Sequence, residues 1–181
     1  LRLGIIPTIA PYMLPRMLPV LQKKFPALEL QLHEDLSARL VEGLKRGDLD
    51  LILLAFPYDT PGMTQMKLFD EEFFLACPKG RWKAAPPVNT EDLKTNNLIL
   101  LEEGHCLRDH ALAACKLQPL TQRKTFSATS LPTLIQMVQH GYGITLLPAM
   151  AVKHGHLPAN IEIFPFRKPV PVRQIGLAWR E

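Results

Sequence analysis

The chain has 181 residues, 21 Lys plus Arg against 17 Asp plus Glu, a formal charge of +4, three cysteines and 47% hydrophobic residues. At about 150 residues per domain this allows one large domain or two small lobes, with enough Leu, Ile and Val for a real core, which excludes a disordered chain. No apolar run approaches the ~18 residues of a membrane helix, and the cations come in acid-interleaved pairs such as Lys23-Lys24, a solvated surface rather than a phosphate-binding stripe.

In chain order, Leu1, Leu3 and Ile5 alternate with Arg2 and Gly4 as a strand ending at Pro7-Thr8. A chain that begins inside a strand is expected to be part of a longer protein. Leu14, Met17, Leu18, Leu21 and Phe25 follow at helical spacing, in a helix that Pro19 should kink or shorten. Leu28, Leu30 and Leu32 alternate as a second strand; Leu36, Leu40, Val41 and Leu44 mark a second helix with Gly47 at its end, and Leu49 to Leu54 is a buried run. The order βαβαβ implies a parallel sheet.

From Met66 to Pro78 the pattern is strand-like, and a second alternation follows. Leu98 to Leu101 reads as a strand, Leu107, Ala111, Ala114 and Cys115 as a helix face, and Lys124 to Ala128 as a strand. Ser130 then caps a helix carrying Leu131, Leu134, Ile135 and Val138, closed by Gly141 and Gly143. Strands are predicted at Ile144 to Leu147, Ile161 to Phe166 and Val172 to Trp179. The expected fold is α/β, with two Rossmann-like βα lobes joined by crossing strands: residues 1–74 with 172–181, and residues 75–171. Such lobes leave a cleft suited to a ligand.

Three cysteines are too few, and too odd in number, for a secreted disulfide scaffold, and no leader pattern opens the chain, so a cytoplasmic setting is expected. The segment Gly104-His105-Cys106-Leu107-Arg108-Asp109 opens a helix directly after a buried strand. A thiol there faces unpaired backbone N–H groups and the positive end of the helix dipole, both of which favour thiolate. The duller reading is a small buried hydrophobe. Cys115 lies nine residues on; in a helix that is a rise of about 13.5 Å to the opposite face, whereas a disulfide needs Cα atoms within about 7 Å. A Cys106–Cys115 bond therefore requires the helix to unwind, as in a redox switch; two unrelated structural cysteines remain the alternative at this point. Cys77 is expected to pack as a small apolar residue. His33, His140, His154 and His156 lack metal-site spacing, so no metal and no cofactor are expected.

The Gly104–Asp109 segment with Cys115 nine residues on resembles the signature of the OxyR hydrogen-peroxide sensors among the LysR-type transcriptional regulators. Gly4-Ile5-Ile6-Pro7-Thr8, Pro11-Tyr12, Ala128-Thr129-Ser130-Leu131, Gly143-Ile144-Thr145-Leu146-Leu147-Pro148 and Ile175-Gly176-Leu177 also resemble that family, over essentially the whole chain. The resemblance implies a periplasmic-binding-protein-like (type II) regulatory domain, not an enzyme, with Cys106 the peroxide-reactive thiol and Cys115 the resolving thiol. Thr8, Ser37, His105, Arg108 and Asp109 match a peroxide pocket; Ser37 stands where the family often has threonine. It further implies self-association as dimer and tetramer, DNA binding through a helix-turn-helix domain outside this chain, and RNA polymerase as a further partner, with no membrane. Each pocket residue has a plainer competitor: Thr8 and Ser37 as helix caps, His105 and Asp109 as first-turn residues, Arg108 as a surface ion-pair partner. Rival functions are a LysR-type domain binding a small organic anion, a thiol peroxidase, and a solute-binding protein.

Overall fold

The computed structural model of the chain describes residues 1–117 and 128–181. Two compact units form, Leu1–Asp70 with Gln174–Glu181, and Glu71–Arg173. The division runs through two strands, β4 (Met63–Pro78) and β7 (Val172–Arg180). The boundaries read from the sequence, at 74/75 and 171/172, fall elsewhere in or beside the same two strands.

In the first unit, β1 (Arg2–Ile5) pairs in parallel with β2 (Gln31–Glu34) on one side and β3 (Leu51–Phe56) on the other, the arrangement that βαβαβ order requires. β7 then runs antiparallel to β3, from Ile52 opposite Ala178 to Phe56 opposite Gln174. Helix α2 (Ser37–Arg46) packs onto this sheet because Gly4 presents no side chain: a Cβ there would lie 2.8 Å from side-chain carbons of both Leu40 and Leu49. Leu40, Leu44, Ile5 and Ile52 are completely buried, each contributing about 1.5–3 kcal/mol by removal from water. Gly47 ends α2 in the left-handed conformation, φ 86°, and the Arg180 guanidinium donates to the Leu44 and Leu49 carbonyls at that end.

Two expectations for this unit fail. Helix α1 runs from Ala10 to Lys24 with Pro15 and Pro19 inside it, so Pro19 does not shorten it. Pro11, Pro15 and Pro19 recur every four residues and are all exposed, so the carbonyls they leave without a donor face water instead of a core. Strand β2 starts after Leu28 and Leu30 and is exposed along its whole length; it is the edge of the sheet and does not bury an alternating leucine face.

In the second unit the latter half of β4 lies between two antiparallel neighbours, β5 (Thr145–Pro148) and β6 (Ile161–Pro165), with Phe74 opposite both Leu147 and Pro165. Helices α3 (Cys106–Ala114), α4 (Leu131–Gln139) and the short α5 (Ala149–His154) accompany them. Ser130 caps α4 as expected, its Oγ accepting from the Thr133 N–H at 3.3 Å, and Gly141 takes a φ of 82° beyond its end. The expected strand Leu98–Leu101 is reduced to two single-residue bridges, Leu98 with Ile144 and Leu101 with Ala128. Most of the strand expected at Lys124–Ala128 lies outside the described residues, and α5 carries no signal strong enough to be read ahead of the structure. At the root of the unit, Glu71 and Arg173 form a fully buried ion pair: Arg173 Nε donates to Glu71 Oε2 at 2.8 Å, and the Met150 N–H at the start of α5 donates to Oε1 at 2.7 Å.

Candidate functional site

Gly104, with φ 98°, turns the chain after Glu102-Glu103, His105 takes an extended conformation as the N-cap, and Cys106 is the first residue of α3. Glycine suits the left-handed turn, and the cap sets Cys106 among amide N–H groups that the helix itself cannot satisfy. Cys106 is 6% exposed, with Leu107 and Ala111 buried beside it. That places a thiol at the positive end of a helix with access only for a small reactant.

Cys115 stands at the other end of α3, as its C-cap, and is 1% exposed. Burial pushes its thiol up to about 12. At pH 7 it is therefore ionised to only about one part in 10⁵ while the fold stays closed. All three cysteines are buried thiols. Cys77 is completely buried, and its thiol is raised by burial first and by Glu162 second, against the opposing pulls of the Trp82 backbone and Arg81.

His105 is 5% exposed, and burial holds its imidazole below the ordinary histidine range, against the opposing pull of Glu102 and of a hydrogen bond to the Thr129 backbone. Arg108 is half-buried and donates from Nη1 to the Leu101 carbonyl at 3.3 Å, so it is directed at the preceding segment. Asp109 is exposed in the first turn of α3, where the dipole favours an acid. His105, Cys106, Arg108 and Asp109 are thus gathered at one helix start.

Thr8 and Ser37 belong to the first unit. Both are buried, at 3% and 1% exposure, and neither caps a helix: the N-caps of α1 and α2 are Ile9 and Leu36, without side-chain capping bonds. For Ser37, whose Oγ makes no such bond, the capping alternative is thereby removed. Ser37 Oγ, at the first residue of α2, has no hydrogen-bond partner among the described residues, an arrangement that costs about 1–3 kcal/mol unless a small polar guest completes it. The sequence reading missed Glu71 and Arg173, whose only local sign is a charge inside an otherwise strand-like run. Among the described residues no cluster of three or more His, Cys, Asp or Glu could hold a metal, and no helix is long and apolar enough to cross a membrane.

The family model of the LysR substrate binding domain matches residues 1–181. The chain is a LysR substrate-binding domain. Its α/β fold is accordingly of the type II periplasmic-binding-protein-like kind. This LysR domain is 42% identical over 163 residues to the HTH-type transcriptional regulator EstR of Acinetobacter baylyi, covering 90% of the chain and 54% of that protein. It is 41% identical over 181 residues to the DNA-binding transcriptional dual regulator OxyR of Escherichia coli, covering 99% of the chain and 59% of the relative. Among solved structures, an H2O2-bound cysteine-to-serine mutant of Corynebacterium glutamicum OxyR superposes with a TM-score of 0.93 at 32% identity, covering 99% of this chain and 58% of that one. The LysR domain thus spans somewhat over half the length of the curated relatives it matches.

Proposed function

We propose that this LysR domain is the hydrogen-peroxide-sensing regulatory module of a transcriptional regulator, with Cys106 and Cys115 as its redox pair. The observation that carries the reading is Cys106 as the first residue of α3, in its His-Cys-Leu-Arg-Asp context, with a second buried thiol at the far end of the same helix. The Cys106 thiolate attacks one peroxide oxygen; the O–O bond breaks, sulfur is oxidised by two electrons to a sulfenic acid, and the departing hydroxide takes a proton and leaves as water. The Cys115 thiol then attacks the sulfenic sulfur: the S–S bond forms, the S–O bond breaks, and the Cys115 proton leaves with the oxygen as a second water.

The second step has a structural condition. A nine-residue helical separation is about 13.5 Å, twice what a disulfide spans, and Cys115 is a buried thiol with a pKa of about 12. α3 must open before Cys115 can react, so oxidation remodels this unit, and that remodelling is the signal. Thr8, Ser37, His105, Arg108 and Asp109 take pocket roles in this proposal on the strength of the family resemblance, with Ser37's unpartnered hydroxyl as support. Self-association and contacts with DNA and RNA polymerase are assigned to the longer protein to which such a domain belongs. C. glutamicum OxyR, with peroxide bound and at TM-score 0.93, supports the choice of signal.

The test is peptide mass spectrometry after stoichiometric peroxide. A Cys106–Cys115 linkage that disappears in Cys106→Ser is expected; no such linkage in the wild type sinks the proposal. Consumption of about one peroxide per chain in the presence of a thiol reductant separates a sensor from a thiol peroxidase, which turns over many times. The same Ser37 hydroxyl also suits an oxygen of a small organic anion; stabilisation by a micromolar metabolite, undiminished in Cys106→Ser, would favour that reading.

A further inference from the structure

Helix α5 has little of its own to start it. It has six residues, no acid in its first turn, and Pro148 at its N-cap without a side-chain capping bond. A helix this short is marginal by itself, and its first N–H groups lack intrahelical acceptors. The Met150 N–H, second in the helix, nonetheless donates to Glu71 Oε1 at 2.7 Å. Strand register brings the two together. Phe73 of β4 stands opposite Pro148 in the antiparallel pair with β5, so Glu71, two positions back, falls opposite Met150, two positions on. On the other side the Phe73 N–H donates to the Pro171 carbonyl at 2.9 Å, and Arg173, two positions beyond Pro171, gives its Nε to Glu71 Oε2 at 2.8 Å. The Glu71 side chain is only 2% exposed, so both bonds form where water competes little.

We propose that Glu71 is the N-terminal cap of α5: a positioning residue delivered from β4, whose other oxygen is engaged, and whose charge is matched, by Arg173 of β7. Its carboxylate does for α5 what the Ser130 hydroxyl does for α4, but from 79 positions away. The start of α5 therefore depends on the root of the unit, whose first and last residues are Glu71 and Arg173. By fixing that start, the cap also sets where the exposed Lys153 and His154 at the far end of α5 are presented. The proposal is independent of the redox reading, and neither peroxide nor Cys106 enters its test.

The experiment compares two variants that both lack the buried charges. Glu71→Gln with Arg173→Met keeps a carbonyl oxygen able to accept the Met150 N–H; Glu71→Met with Arg173→Met has no acceptor there. Hydrogen exchange is read at the Met150 amide and at the Gly155 amide, which bonds to the Ala151 carbonyl at the end of α5. The reference is the Leu134 amide in the first turn of α4, bonded to the Ser130 carbonyl. Relative to Leu134, exchange at Met150 and Gly155 is expected to be about two- to thirtyfold faster in the variant without an acceptor, the range for loss of a helix cap. The same ratio to Leu134 in both variants overturns the proposal. A readout that needs no variant is the Met150 amide of the wild-type chain: protection from solvent exchange is expected, and exchange as fast as that of an uncapped helix start overturns the cap.

Discussion

Replacing Glu71 by Gln keeps the shape of the side chain but removes the charge facing Arg173, whose side chain is 0% exposed against 2% for Glu71. The Arg173 Nε bond and the Met150 N–H bond both converge on the Glu71 carboxylate, at 2.8 and 2.7 Å. Leaving one member of a buried pair uncompensated costs about 3–5 kcal/mol, a factor of roughly 150–5000 in the folded-to-unfolded ratio. For a chain of this size that lowers Tm by about 6–20 °C. The measurement is urea unfolding followed by Trp82 fluorescence, from the second unit, in a Trp179→Phe background, so that the signal reports the unit holding the pair. Unchanged m with a lowered midpoint is expected. Glu71→Met with Arg173→Met should recover much of the loss, because no charge is then left buried. A cost below about 1 kcal/mol for Glu71→Gln would show that water reaches the pair, and the buried-clamp reasoning would be wrong.

Because burial raises Cys115, the native state keeps a proton that the unfolded chain releases, so stability should fall as pH rises from about 9 toward about 12, by at most about 1.4 kcal/mol per pH unit; Cys115→Ser should flatten that limb in pH-dependent denaturation. Gly176→Ala puts a Cβ 2.5 Å from the Met66 carbonyl oxygen and 2.8 Å from the Phe56 ring, and should cost about 1–3 kcal/mol by thermal unfolding; a neutral result would mean that β7 moves away freely.

The parallel β1, β2 and β3 order was legible because buried strands and amphipathic helices alternate in a period that only crossover connections satisfy, and Gly47 marked the end of α2 through its backbone freedom. The start of α3 at Cys106 and the cap at Ser130 were legible for the same local reason. Pro19 misled, since proline reports a missing donor but not whether the abandoned carbonyl faces water. Leu28 and Leu30 misled because alternation does not distinguish an edge from a covered strand.

By itself, then, the sequence determined the α/β order, the two-lobed plan and the cysteine-bearing helix, all of which follow from local periodicity and from residue chemistry at helix ends. Tertiary structure alone decided the rest. It buried Cys115 and thereby silenced its thiol, paired Glu71 with Arg173 across 102 positions of sequence, and left the Ser37 hydroxyl without a partner among the described residues. Burial and long-range pairing depend on what other segments bring to the same place, and no short stretch of chain carries that information.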